Sequence, residues 1–341
     1  MKQHEISTPT DLLDSRGELI QKGWARDLIL NYHRSQIKAS RFRIKEWDYY
    51  CILSESVGVS FTFSDLGYLG FIAATLFDFG KGEEVSDAIT TLFPMGKFNL
   101  PPSSKQGDVV FCNKKLTLRY LLVDGNRIIE VHWKKFAGGV DLVGRIALQQ
   151  NETDDTMVIA TPFSKNPRAF YYNQKINCMP ASGKIQWGNR TLKFSDSDSF
   201  GVLDWGRGVW TYANTWYWGS ASGLVGGHRF GFNIGYGFGD TTAATENMLF
   251  YNGRAHKLDQ IEFHIPPDDF LKPWRFSSND GRLELDFVPI IDRHSNTDVL
   301  LIKSWQHQVF GRFSGVVLLD NGEILQLQNF LGFAEKVINR W

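Results

Sequence analysis

The chain has 341 residues, with 37 lysines and arginines against 37 aspartates and glutamates, so its formal net charge is zero. That balance lacks the basic excess a nucleic-acid footprint requires, and the sequence has no run of 18 apolar residues to cross a bilayer as a helix. The length exceeds one ordinary small core, so one large or two packed domains are expected. The opening MKQHEISTPTDLLDS has no apolar core of a secretory signal. Cys51, Cys112 and Cys178 are few, far apart and without a CxxC pair, which argues against a disulfide framework or zinc site and points to a reducing cytoplasm.

In chain order, residues 10–30 contain a short amphipathic stretch, and residues 80–91 (GKGEEVSDAITT) read as a second short helix. The rest reads as β-structure. Two-residue turns of the kind that match strand twist recur at Asp124-Gly125, Gly188-Asn189, Asn252-Gly253, Asp280-Gly281 and Asn321-Gly322, each flanked by β-favouring residues. These turns predict an all-β, antiparallel fold with few short helices. Residues 149–155 (QQNETDD) read as a loop and residues 177–183 as a break. A boundary near residue 180 therefore divides two β-rich halves, 1–180 and 181–341.

The most informative segment is 201–223, GVLDWGRGVWTYANTWYWGSASG. Trp205, Trp210, Trp216 and Trp218 fall within fourteen positions, beside Asp204 and Arg207. Isolated charges among indoles are paired structural groups or working groups in a desolvated pocket. Period-2 alternation puts Asp204, Gly206, Gly208 and Trp210 on one strand face, with Trp205, Arg207 and Val209 on the other. If pairing continues in register, Trp216 and Trp218 share the Asp204 face.

In residues 229–239, Phe230, Phe232, Ile234, Tyr236 and Phe238 form an apolar face. The other face carries Arg229 at its start and then Asn233 as the only amide among glycines. A bare glycine face admits a close backbone or leaves room for a ligand. Glu246 and Asn247 then open a further strand. Together these patterns make Asp204 and Glu246 the acid–base candidates. Trp205, Arg207, Trp210, Trp216, Trp218, Asn233, Tyr236 and Asn247 are the candidate ligand contacts. The histidines show no metal-ligand spacing; His132 reads as a barrel histidine or a pocket base. GYGFGD lacks the context of a phosphate loop, and no nucleophile-elbow motif occurs. No metal and no cofactor are expected.

The stretches LDWGRGVW…TWYWGSASG, GFNIGYGFGD…TEN and VFGRFSG…GFAEKVINRW, with the N-terminal RIKEWDYYCI…FSDLGYLGF, resemble the bacterial family catalogued as domain of unknown function 2804. The resemblance runs from about residue 7 to the C-terminus. That family is similar, more distantly, to the hydroxyneurosporene synthase (carotenoid hydratase) and AttH-like superfamily. The resemblance implies two lipocalin-like β-barrels in tandem. It also implies an acid that protonates an isoprenoid double bond before water adds, and Asp204 is the matching position. Indole faces would steady the cation, while Asn233, Glu246 and Asn247 favour an oxygenated or smaller ligand over a pure polyene.

Three readings follow for a small-molecule ligand, lipophilic or sugar-like. One is a lipocalin-like hydratase or isomerase using a buried carboxylic acid. A second is a glycoside hydrolase-like carboxylate pair, Asp204 and Glu246, for which a separation of about 5–5.5 Å fits retention and about 6.5–9.5 Å fits inversion. The third is a non-catalytic lipid carrier.

Overall fold

The computed structural model describes residues 3–299 and 302–340. Nearly every element is an antiparallel strand, and the strands form two large sheets. No helix among the described residues is long and apolar enough to cross a membrane. All five turns expected from the sequence join paired strands. Asp124 and Gly125, and likewise Asn252 and Gly253, both adopt positive φ, as a tight twist-matched hairpin demands.

The first sheet takes in the meander Ile44–Leu53, Val57–Asp65, Leu69–Asp78 and Glu83–Leu92, a second meander over 109–148, and the strands Asn166–Trp187 and Phe200–Val209. Residues 83–92 therefore do not form the helix expected there. Val85, Ile89, Thr90 and Thr91 are β-branched, and burial alternates along the strand as it pairs with Leu69–Asp78. Residues 10–30 hold no helix either. Thr10–Asp11 pairs in parallel with Leu30–Asn31, and Gly23–Ala25 adds to the strand Met157–Phe163.

The second sheet runs from Ala213–Val225 through His228–Tyr236 to the long C-terminal strands. The boundary expected near residue 180 falls inside the 22-residue strand Asn166–Trp187. The chain changes sheets between Val209 and Ala213. The apparent break at 177–183 is a bulge within that strand, with a register shift between Ile176 and Met179 and a left-handed Cys178. The bulge stitches the two sheets together. Asn177 Nδ2 donates to Ser220 Oγ at 2.8 Å and to Phe232 O at 3.1 Å, and Cys178 N donates to Ser222 Oγ at 3.0 Å.

Each sheet wraps its own apolar core. Phe61, Phe63, Trp133, Tyr172 and Trp205 lie in the first; Phe230, Phe232, Phe276, Phe287 and Phe313 lie in the second. Two further clusters, around Tyr171, Trp210 and Phe238 and around Tyr49, Trp218 and Phe310, draw on both sheets and glue their outer faces. Alternation explains this double use. In Ile44–Leu53 the even residues Tyr50 and Ile52 enter the first core, while Tyr49, Cys51 and Leu53 face the other sheet.

Candidate functional site

One group of buried charged side chains lies where the sheets meet. Asp204 is 8 % exposed, and its Oδ1 accepts hydrogen bonds from Asn173 Nδ2 at 2.6 Å and Lys175 Nζ at 2.9 Å. The strands Asn166–Trp187 and Phe200–Val209 place these residues together, because Asn173, Lys175 and Asp204 all fall on the face turned away from the first core. Lys175, itself buried, lies 3.8 Å above the Trp218 ring of the second sheet. An ammonium over an indole face gains cation–π attraction, more when water is excluded.

Two more acids come from the second half, Glu246 from the connection just before the strand Met248–Tyr251 and Glu335 from the strand Ile324–Arg340. Buried Glu246 lies over Gly235, where an added Cβ would stand 2.7 Å from Glu246 Oε1. Burial pushes its carboxyl up; the Lys175 charge opposes this and Asp204 adds to it. Asn233 bridges Glu246 to the tryptophans, since its Oδ1 accepts from Trp218 Nε1 at 2.7 Å and its Nδ2 donates to Glu246 O at 2.8 Å. Half-buried Glu335 accepts from Trp216 Nε1 at 2.9 Å and from Gln308 Nε2 at 3.1 Å. Gln308 Oε1 in turn accepts from Arg293 Nη1 at 2.9 Å. Burial pushes the Glu335 carboxyl up to about 7, against the Trp216 hydrogen bond and the Lys175 charge.

Aromatic rings wall this cluster. Trp47 meets Trp210 edge-on with centroids 5.1 Å apart, Trp210 meets Trp216 at 5.8 Å, and Tyr49 meets Trp218 at 6.0 Å. Gly206 is required here, because a Cβ at that position would enter the Trp47 indole. The structure thus brings together Asp204, Glu246, Trp210, Trp216, Trp218 and Asn233. They converge across two sheets, not by in-register pairing of one strand with the next.

Four expected contacts lie elsewhere. Trp205 and Arg207 sit on the opposite strand face, inside the first barrel, with the guanidinium 4.2 Å over the Trp205 ring and paired to Asp48 at 2.9 Å. Tyr236 stacks on Tyr217 at 4.4 Å, turned into the second core. Asn247 is spent on the backbone: Gly235 N donates to its Oδ1 and its Nδ2 donates to Asp259 O. The bare glycine face of 229–239 is likewise filled by protein. An added Cβ at Gly231 would lie 2.6 Å from both Cys178 Sγ and Ala221 O. Close approach, not an open hollow, is what those glycines serve. His132 is exposed on the first barrel, near Asp141.

Lys175, Asn173 and Glu335 escaped the sequence reading. A signal did exist. Tyr171, Asn173 and Lys175 alternate through YYNQKIN, and Glu335 alternates with Phe333 and Val337 in FAEKV. A polar group on an otherwise apolar face is the sign of a buried site.

The family described as Domain of unknown function (DUF2804) matches residues 3–341. No curated protein matches the sequence. Among solved structures, the chain is similar to a protein described as AttH from Nitrosomonas europaea, with 14% identity and a TM-score of 0.54, over 90% of this chain and 96% of that one. It is similar to CghA, solved with Sch210972, at 9% identity and a TM-score of 0.52, covering 88% and 89% of the two chains. Kievitone hydratase from Nectria haematococca follows at 11% identity and a TM-score of 0.49, covering 86% and 88%. At such identities the likeness is one of fold, and it agrees with two lipocalin-like barrels in tandem.

Proposed function

The chain belongs to the DUF2804 family, and we propose that it is an acid catalyst acting on a lipophilic, oxygen-bearing alkene at the junction of its two barrels. One observation carries this reading: buried Lys175 pairs with Asp204, and the same ammonium acts on the burial-raised carboxyls of Glu246 and Glu335. Burial lifts the Glu246 and Glu335 carboxyls in spite of the cations near them, so the cluster retains protons at neutral pH. Asp204 is one half of an ion pair, which assigns the transferable proton to Glu335, with Glu246 as its reserve.

The step balances simply. The Glu335 carboxyl gives its proton to one alkene carbon. The neighbouring carbon becomes electron-poor while facing the Trp216 and Trp218 indoles, water oxygen bonds to it, and the proton that water sheds returns to the Glu335 carboxylate. Asn173 Oδ1 is buried and has no hydrogen-bond partner among the described residues, so it is an acceptor for a substrate hydroxyl. The sugar reading loses ground, because the acids are organised around a lysine instead of as an isolated pair.

The test is incubation of the purified chain with a panel of isoprenoid and phenolic alkenes in deuterium oxide, read by mass spectrometry. Addition of one deuterium at carbon and one hydroxyl, abolished in Glu335→Gln and Asp204→Asn, is the expected result. Ligand retention with no turnover by the wild type would instead make the chain a carrier.

A further inference from the structure

The outer face of the first sheet packs against the second sheet along Ile44–Leu53 and Phe200–Val209. It carries exposed side chains instead across Val109–Cys112, Leu116–Val123, Asn126–Trp133, Leu142–Leu148, the end of Asn166–Trp187, and Arg190–Phe194. Register sets one residue of each of these strands in a single cross-strand rank. Val110 stands opposite Arg119, Arg119 opposite Glu130, Glu130 opposite Arg145, Arg145 opposite Lys184, and Lys184 opposite Lys193. Their chain neighbours Leu118, Ile129, Ile146, Ile185 and Leu192 point into the first core, so the rank faces outward. Arg119 and Arg145 share the one acid, at 3.5 and 3.4 Å from Glu130. Lys184 and Lys193 are exposed and make no ion pair among the described residues. Asp141 and Asp196, on the flanks of this face, are engaged by His132 and Gln149.

Arg145, Lys184 and Lys193 thus face one another across three strands with no acid between them, an arrangement that costs a sheet stability. From Arg119 to Lys193 the rank crosses about 19 Å of surface with a positive surplus, although the whole chain is neutral. Val110, Val123 and Val143 rise from the same face, each nearly half exposed. No exposed tryptophan, tyrosine or phenylalanine lies on these strands. We infer that this face docks the chain on an anionic lipid surface. The long lysine and arginine stems carry their charge out to phosphate and carboxylate headgroups, and the valines gain from the headgroup boundary. A single-stranded nucleic acid would match the charge but stacks on aromatic rings, which are missing here. A duplex meets basic groups through its phosphates and gains nothing from the valines. The face is separate from the barrel junction, so docking is read without any turnover.

The experiment floats the full chain with vesicles of phosphatidylcholine alone and of phosphatidylcholine mixed with phosphatidylserine, in low and high salt, beside a labelled duplex oligonucleotide. Binding to the mixed vesicles alone, weakening with salt, is the expected result. Each basic residue near such a surface is worth about fivefold in affinity, so Lys184→Gln combined with Lys193→Gln should weaken binding about twentyfold. The same double variant should keep or raise the thermal midpoint, because it relieves like-charge opposition. Glu130→Gln should strengthen binding to the mixed vesicles severalfold and leave the neutral ones unbound. No binding to the mixed vesicles, equal binding to the neutral ones, tighter binding to the oligonucleotide, or unchanged affinity in the double variant would each overturn the assignment.

Discussion

Replacing Glu335 by glutamine tests the charge accounting on which the junction site rests. Burial raises this carboxyl from 4.5 to about 7, so the folded chain binds the proton more tightly than the unfolded chain does. Stability must then fall as pH rises through that window: the cost is absent below 4.5 and complete above 7. An interval of that width corresponds to about 3 kcal/mol at 25 °C. Glutamine keeps an acceptor for Trp216 Nε1 but cannot ionise. It sets an amide against Gln308 Nε2, a loss of about 1 kcal/mol that does not depend on pH. The variant should therefore be slightly less stable than the wild type at pH 4.5–5 and more stable by about 2 kcal/mol at pH 8. Urea unfolding across that range measures both, and Glu246 contributes the same downward slope to each protein. Stability curves that run parallel from pH 5 to pH 8 would refute the reasoning.

Lys175→Met leaves buried Asp204 without its cation and removes that charge from Glu246 and Glu335. We expect a loss of about 3–5 kcal/mol at pH 8 that shrinks at pH 5, checked by urea unfolding; an equal loss at both values would count against the cluster. Gly206→Ala drives a methyl group into the Trp47 indole and should cost about 1–3 kcal/mol with altered near-ultraviolet circular dichroism. An unchanged spectrum would show that Trp47 is not held there. Asn177→Ala removes the bonds to Ser220 and Phe232, at a cost of about 1–3 kcal/mol. It should speed amide hydrogen exchange across 220–232 and leave the 44–78 meander protected.

The hairpins were legible because a tight turn states its needs locally, in residues that accept positive φ. The alternation in 204–210 also told truly which residues share a face, and it separated Arg207 and Trp205 from Asp204. Alternation says nothing, however, of what lies opposite a face. Lys175 meets Asp204 from the neighbouring strand, and Glu246 and Glu335 arrive from the second half, over forty residues away in sequence. The glycines of 229–239 left two readings open for the same reason. A missing side chain marks space, and only the partner surface reveals that Cys178 and Glu246 already occupy it. Residues 80–91 read as a short helix in isolation, but pairing of 83–92 with Leu69–Asp78 on a twisted sheet outweighed that reading.

The bulge at Ile176–Met179 also constrains how such a chain can diverge. It lies one residue beyond Lys175 on the same strand, and its Asn177 amide is held by the opposing sheet. A chimera keeping residues 1–209 and borrowing a foreign second half would present that amide, and the Lys175–Asp204 pair, to a surface never shaped for them. The two halves are not exchangeable modules, and a change accepted on one side narrows what its counterpart tolerates.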